Sequence, residues 1–297
     1  MASEVPEPVA SVDAAELEAY ARQCGLASSS ARQPVAAYLR ELWVRRDFLV
    51  SMASSRNTAQ YSDTILGRFW QVLAPILNAL VYFFVFGMLL DTSRGIPNYV
   101  AFLVAGVFTF TYTQRAVTGG AKAIANHRSL IRAIHFPRAV LPLAVIIQEV
   151  QQQVVTLAIL CVIVLLTGEP LTWLWLGLIP ATVLQTLFNT GLCMIVARLA
   201  AASQDVTQLI PFIMTTWRYF SGVFYSIYVF TESSPEWVRD LLFANPATVY
   251  IELVRVSLMA SHSAPGFLWA YALAWALGML LVGFVVFYRA EESYARG

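Results

Sequence analysis

Apolar residues gather in six runs, near 70–90, 98–118, 138–167, 172–198, 206–230 and 266–288. Each is about as long as a helix must be to cross a hydrocarbon core roughly 30 Å thick, at 1.5 Å rise per residue. None alternates apolar with polar residues, which argues against the strands of a membrane barrel. The pattern predicts an all-α integral membrane protein with six transmembrane helices. The third run is the most interrupted, because Gln148, Glu149, Gln151, Gln152 and Gln153 need protein, water or the interface beside them.

Shorter patterned segments flank these runs. Residues 35–50 set Leu39, Leu42, Trp43 and Phe48 among Arg40, Arg45 and Arg46. That suits an amphipathic helix in the inner interface with its arginines toward lipid phosphates, or a cytoplasmic helix packed on protein. The polar stretch 51–64 reads as a linker leading to Leu66 and Gly67. Between the second and third runs, residues 121–138 carry only basic charges, with Ile124, Leu130, Ile131 and Ile134 at near-helical spacing and Phe136-Pro137 at the close. This apolar stripe needs a partner: lipid, the chain's own helix ends, or a cytoplasmic protein. Between runs five and six, Ser234-Pro235-Glu236 opens one short helical pattern and Asn245-Pro246 breaks it before a second. Both are too short to cross, which predicts two re-entrant helices. The domain division is a cytoplasmic tail over 1–34, the interface helix and linker over 35–69, and a transmembrane domain over 70–297.

Composition strengthens the membrane assignment. Hydrophobic residues make up 58% of the 297 and charged residues 12%, half the charge of ordinary soluble domains at roughly 25%. The net charge of +1 is silent about partners, but its distribution sets orientation. Lys122 and most arginines fall before the first run, between the second and third, and after the fourth and sixth. The alternate loops hold only Arg94, Arg239 and Arg255, so both termini are expected in the cytoplasm of a multi-pass protein in the cell membrane. The first 34 residues carry five acids and no apolar core, unlike a signal peptide.

Catalytic signatures are missing. The sequence has no GxxxxGK[ST] loop, GxSxG elbow or HExxH helix, and Cys24, Cys161 and Cys193 stand far apart without metal-ligand spacing. The chain reads as a transport subunit that binds no metal or cofactor. The charges that fall inside the runs are Arg115, Glu149 and Arg218, and ionisable groups at such depth are functional candidates by default. Arg115 and Arg218, with Tyr112, Gln114 and Trp217 beside them, either pair structurally or face a wet path that meets phosphates and sugar hydroxyls. Phe220, Phe224 and Tyr228 recur every four residues and would stack along one helical face, with Tyr225 nearby. Such a face is an aromatic belt, or a lane on which sugars slide.

Arg45-Arg46-Asp47-Phe48, Leu66-Gly67-Arg68-Phe69-Trp70 and Pro75 resemble the opening of permease subunits of ABC-2 type polysaccharide exporters. Phe136-Pro137-Arg138, Leu141-Pro142, Asp205 to Gln208, Ser221 to Tyr225, Asn245-Pro246 and Glu291 to Tyr294 resemble its later signatures in the same order. The resemblance covers about residues 40–296 and implies a Wzm-type exporter of O-antigen, teichoic acid or capsule. Within that family the chain is similar to actinobacterial members, including mycobacterial exporters of lipid-linked galactan. The family's assembly implies a homodimer of permeases with two cytoplasmic ABC ATPase subunits, which hold the ATP and magnesium. The all-basic loop with its apolar stripe is the expected docking element for that ATPase, over residues 122–136, with His127, Arg128, Leu130, Ile131, Ile134 and Phe136 as contacts. One departure is the longer polar stretch between Asp47 and Gly67. The alternatives are an ABC-2 exporter of a small amphiphile, and an ion-coupled carrier without an ATPase partner.

Overall fold

The computed structural model describes residues 34–62, 67–89, 96–133, 136–231 and 235–290, and all regular structure among them is helical. All but one residue of the predicted N-terminal tail lie outside that set. The chain begins with α1 (Val35–Val44) and α2 (Arg46–Ser62), then α3 (Trp70–Tyr82), which runs on into a π-helical turn over Phe83–Leu89. α4 (Tyr99–Ala123), α5 (Arg128–Ala133), α6 (Val140–Leu166) and α7 (Leu178–Ala202) follow, the last led in by a 3-10 turn over Trp173–Gly177. The remainder is α8 (Asp205–Phe220), α9 (Ile227–Thr231), α10 (Glu236–Ala244), α11 (Pro246–Leu258) and α12 (Phe267–Arg289).

Five helical stretches are long and apolar enough to cross a membrane unaided: Val72–Leu89, Tyr99–Ala123, Val140–Leu166, Trp173–Ala202 and Phe267–Arg289. They match five of the six apolar runs. The run near 206–230 is built differently. α8 has 16 residues, roughly 24 Å of helix, and it ends where Gly222 takes φ +64°, a left-handed conformation that glycine adopts at no steric cost. Helix resumes at α9. The short helices α10 and α11 meet at 87°, hinged on Asn245, whose side-chain oxygen accepts from the Ala247 N–H at 3.1 Å while Pro246 starts α11. This bent pair has the shape expected of re-entrant helices, and counted as one broken span it brings the crossings to six.

α4 is the hub. Of its membrane window 78% is buried inside the chain, against 11% for Val72–Leu89 and 22% for Phe267–Arg289, so α4 needs protein on all sides while the other two offer apolar faces outward. α6, α7, α8 and α11 pack around α4, and α12 lies along α7. There Gly191 and Gly283 bring the two backbones together: a Cβ on Gly191 would fall 2.0 Å from the Met279 carbonyl oxygen.

The N-terminal helices are moored to this bundle. α1 turns Tyr38 and Leu42 inward, and the Tyr38 ring meets Phe284 and Tyr288 edge-on. Its outer side leaves Leu39, Trp43 and Val44 exposed, and Phe48 at the start of α2 is exposed as well. Arg40 and Arg46 are exposed with them, Arg46 lying over the Trp43 ring at 5.4 Å, while Arg45 pairs with Glu41 at 2.9 Å. Residues 51–62 are helical, which corrects the linker reading. Their polarity matches the glutamine stripe of α6: the Asn57 amide donates to Gln151 Oε1 at 2.7 Å, and Gln151 Nε2 donates to Ser54 at 3.2 Å.

Candidate functional site

Along α4, Thr111, Arg115, Thr118 and Lys122 follow one another at intervals of three or four, so one stripe of the most buried helix is polar. That stripe lines a cavity of about 550 Å³, closed by Asn78 and Tyr82 of α3, Glu149 of α6 and Arg218 of α8. Arg115 Nε donates to Glu149 Oε2 at 2.9 Å. Arg218 donates to the Tyr82 hydroxyl and to Gln114 Oε1, and its guanidinium lies over the rings of Tyr82 at 5.7 Å and Phe110 at 5.4 Å. The lining therefore holds three cations and one carboxylate.

A second cavity, about 670 Å³, shares Gly119, Lys122 and Glu149 with the first and continues toward α2 and the loop after α4, where Arg56, Asn126 and His127 line it. Arg56 Nη2 stands 2.7 Å from His127 Nε2. A guanidinium only donates, so Nε2 accepts and the ring proton sits on Nδ1, which is 2.9 Å from the Ala123 carbonyl oxygen. Burial first, and the Arg56 charge second, hold the His127 pKa below its ordinary 6.5. Neutral His127 thus joins the N-terminal helices to the basic loop.

The structure brings Gln114, Arg115 and Arg218 of the predicted path residues to one cavity. Tyr112 points the other way, fully buried with its hydroxyl 2.8 Å from Thr186 on α7. Trp217 donates to Asn245 Oδ1 at 2.9 Å and so ties α8 to the bend before α11. The aromatic triad does not share a helical face, because the chain leaves the helix between Phe220 and Ile227. Phe220 ends α8 exposed, Phe224 is buried flat against Phe86 with centroids 4.2 Å apart, and Tyr228 packs on Phe243 and His262. Tyr225 packs on Phe230 at 5.1 Å.

In the basic loop, Phe136 is buried among α1, α4, α6 and α7 residues, and Leu130 and Ile131 are half-buried against the same cluster. The chain's own helix ends thus cover part of the stripe that needed a partner, and Phe136 presents nothing outward. Ile134, and Arg128 beyond its place in α5, lie outside the described residues.

Sequence reading placed Arg255 among loop charges, yet it is wholly buried. Its guanidinium donates to Glu252 at 2.8 Å and to the carbonyl oxygens of Phe102, Gly222 and Val223 at 3.2, 2.9 and 2.9 Å, and lies 3.3 Å from the Phe102 ring centroid. Glu252 Oε2 also faces His262 Nε2 at 2.6 Å. This cluster clamps α11 to α4 and to the break after α8. The spacing Glu252 to Arg255 was a visible signal, since i and i+3 share a helical face.

Residues 49–259 match the sequence signature of the ABC-2 type transporter family. This chain belongs to that family. The match includes α3, α4, α6 and α8, the helices that line the first cavity. Permeases of this family carry no nucleotide-binding domain, so ATP is hydrolysed on a separate ATPase subunit. Among relatives, the O-antigen export system permease protein RfbA of Myxococcus xanthus is 30% identical over 228 residues, covering 76% of this chain and 82% of that protein. A Klebsiella pneumoniae O-antigen export system permease protein RfbA is 25% identical over 202 residues, 67% of this chain and 75% of its own length.

Proposed function

We propose that two copies of this permease, with two copies of a cytoplasmic ABC ATPase, export a lipid-linked polysaccharide from the cytoplasm across the cell membrane. The observation that carries the reading is the polar, cation-rich cavity inside a membrane-spanning bundle whose family match includes every helix around it. The relatives' names, all O-antigen export permeases, favour a glycan over a small amphiphile, and galactan is the glycan to which the resemblance points. Exposed apolar residues on the poorly buried α3 and on α8, such as Val81, Leu209 and Phe212, suit a second copy or lipid, and the pathway runs where the copies meet. The ATPase docks on the basic loop over 122–136, where Asn126 and Ser129 are exposed. With both termini cytoplasmic, α1 and the start of α2 lie at the inner surface and set Arg40 and Arg46 by lipid phosphates.

The test is stimulated turnover. The permease co-purified with its ATPase and reconstituted into nanodiscs should hydrolyse ATP faster when a lipid-linked glycan, galactan included, is added, and not when a drug-like amphiphile is. Stimulation by the amphiphile alone would assign the complex to drug export. Transport by the permease without any ATPase would assign it to ion-coupled carriers.

A further inference from the structure

The first cavity holds a charge arrangement that the export reading does not by itself require. Arg115, Lys122 and Arg218 line it against the single carboxylate of Glu149. Arg218 meets only neutral acceptors, the Tyr82 hydroxyl and Gln114 Oε1, and its Nε is buried without a partner. Arg115 spends Nε on Glu149, while its Nη2 is likewise buried without a partner. Both side chains are half-buried and open to the cavity, and N–H groups that are themselves buried without an acceptor, in a lining with one carboxylate for three cations, are costly unless something anionic completes them. Asn78, Thr111 and Thr118 line the same space and offer neutral donors.

Phosphate oxygens fit this set best. Two guanidinium forks and an ammonium group reach a tetrahedral anion from several sides, and forked N–H pairs match phosphate geometry. A sugar hydroxyl would leave the excess positive charge unbalanced. We propose that Arg115, Arg218 and Lys122 form a binding site for the phosphate groups of the lipid-linked cargo, and that Glu149 is an internal counter-anion which the arriving phosphate displaces from Arg115. This rests on the export reading and deepens it. The site differs from the exposed Arg40 of α1 and Arg46 of α2, which sit on the outer surface of the bundle.

The same anion chemistry could come from a lipid or from a soluble phosphate, and the experiment separates them. The permease–ATPase complex in nanodiscs is titrated with geranylgeranyl diphosphate, with geranylgeraniol and with inorganic diphosphate. The prenyl diphosphate should bind and the alcohol should not. Arg115→Gln and Arg218→Gln should each weaken binding about tenfold or more, the scale of losing a charge-assisted hydrogen bond, while Arg115→Lys should recover part of it. Glu149→Gln should tighten binding, a gain that misfolding cannot produce. Arg239→Gln, at an exposed position on α10, should change nothing.

Binding that depends on Arg46 and is indifferent to Arg115 and Arg218 would overturn the site, and weaker binding by Glu149→Gln would overturn the displacement step. Inorganic diphosphate binding as tightly as the prenyl compound would overturn the lipid assignment. Glycan-stimulated ATP hydrolysis separates the two levels. A complex that responds to glycan but binds prenyl diphosphate independently of these arginines refutes the site and leaves export standing. Arginine-dependent binding without any response to glycan refutes export and leaves the site standing.

Discussion

Arg255 shows how far a residue's role depends on what folds around it. In sequence it is a charge between two apolar runs; in the fold it has no solvent exposure and shares Glu252 with His262. Removing one member strands the other, and breaking a buried pair in this way costs about 3–5 kcal/mol. Arg255→Met should therefore lower the thermal unfolding midpoint of the purified permease sharply, and adding Glu252→Gln should recover part of the loss. Equal loss in the single and double variants would mean that the carbonyl contacts, not the charge pair, hold α11. The pair was legible as an i, i+3 spacing, but its burial was not, since burial follows from the 87° bend that folds α11 back on α4. Arg115 and Arg218 were legible as candidates because charge is expensive at membrane depth, and Gln114 because it stands beside Arg115. Tyr82 and Asn78 were not, because polar groups on an otherwise apolar helix look the same whether they face a cavity or a neighbour.

At the scale of elements, apolar runs reported helices well and breaks poorly. The aromatic sequence from Trp217 to Phe230 reads as continuous helix, yet Gly222 takes a left-handed turn inside it, and only the Ser221-Gly222 pair hints at that. The polar composition of 51–62 suggested a linker, because a helix that lays polar groups on a glutamine stripe carries no apolar periodicity to read. Two element contacts give tests. Gly191→Ala places a methyl 2.0 Å from the Met279 carbonyl oxygen, whereas a Cβ on Gly278 of the same helix pair meets nothing within 4 Å. Gly191→Ala should lose at least about 1–3 kcal/mol by overpacking, and Gly278→Ala should gain up to about 1 kcal/mol. Unfolding midpoints of the two variants check this directly. The link from α2 to the basic loop is pH-dependent. His127 has a lowered pKa, so the folded state favours its neutral form, and the contact with Arg56 is intact above about 6.5 and lost as pH falls through the lowered folded value. As pH falls from about 7.5 to about 5, amide exchange around residues 123–127, measured relative to the intrinsic rate at each pH, should rise in the wild type. Lys122, Gln148 and Glu149 line the same cavity, so the His127→Gln variant, which keeps them, isolates the histidine by flattening that rise.

For the whole molecule, five of the six predicted spans match helices long and apolar enough to cross, and a sixth crossing is reached when the bent α10–α11 pair is counted as one span, while pairing and cargo depend on partners outside this chain. Orientation has its own check. In a background without Cys24, Cys161 and Cys193, a cysteine at Ser263 should react with an impermeant thiol reagent in intact cells, and cysteines at Ser3 and Ser293 should not. Labelling at Ser293 from outside would reverse the placement of the termini. The central claim is that this chain is the membrane half of an ATP-driven exporter of lipid-linked polysaccharide. The most direct measurement is the movement of such a glycan into proteoliposomes that carry the permease and its ATPase with the nucleotide sites facing outward. Glycan should become protected inside the vesicles only when ATP is present, and a hydrolysis-deficient ATPase should abolish the uptake. Vesicles in which ATP is consumed while the glycan stays wholly accessible outside would contradict it.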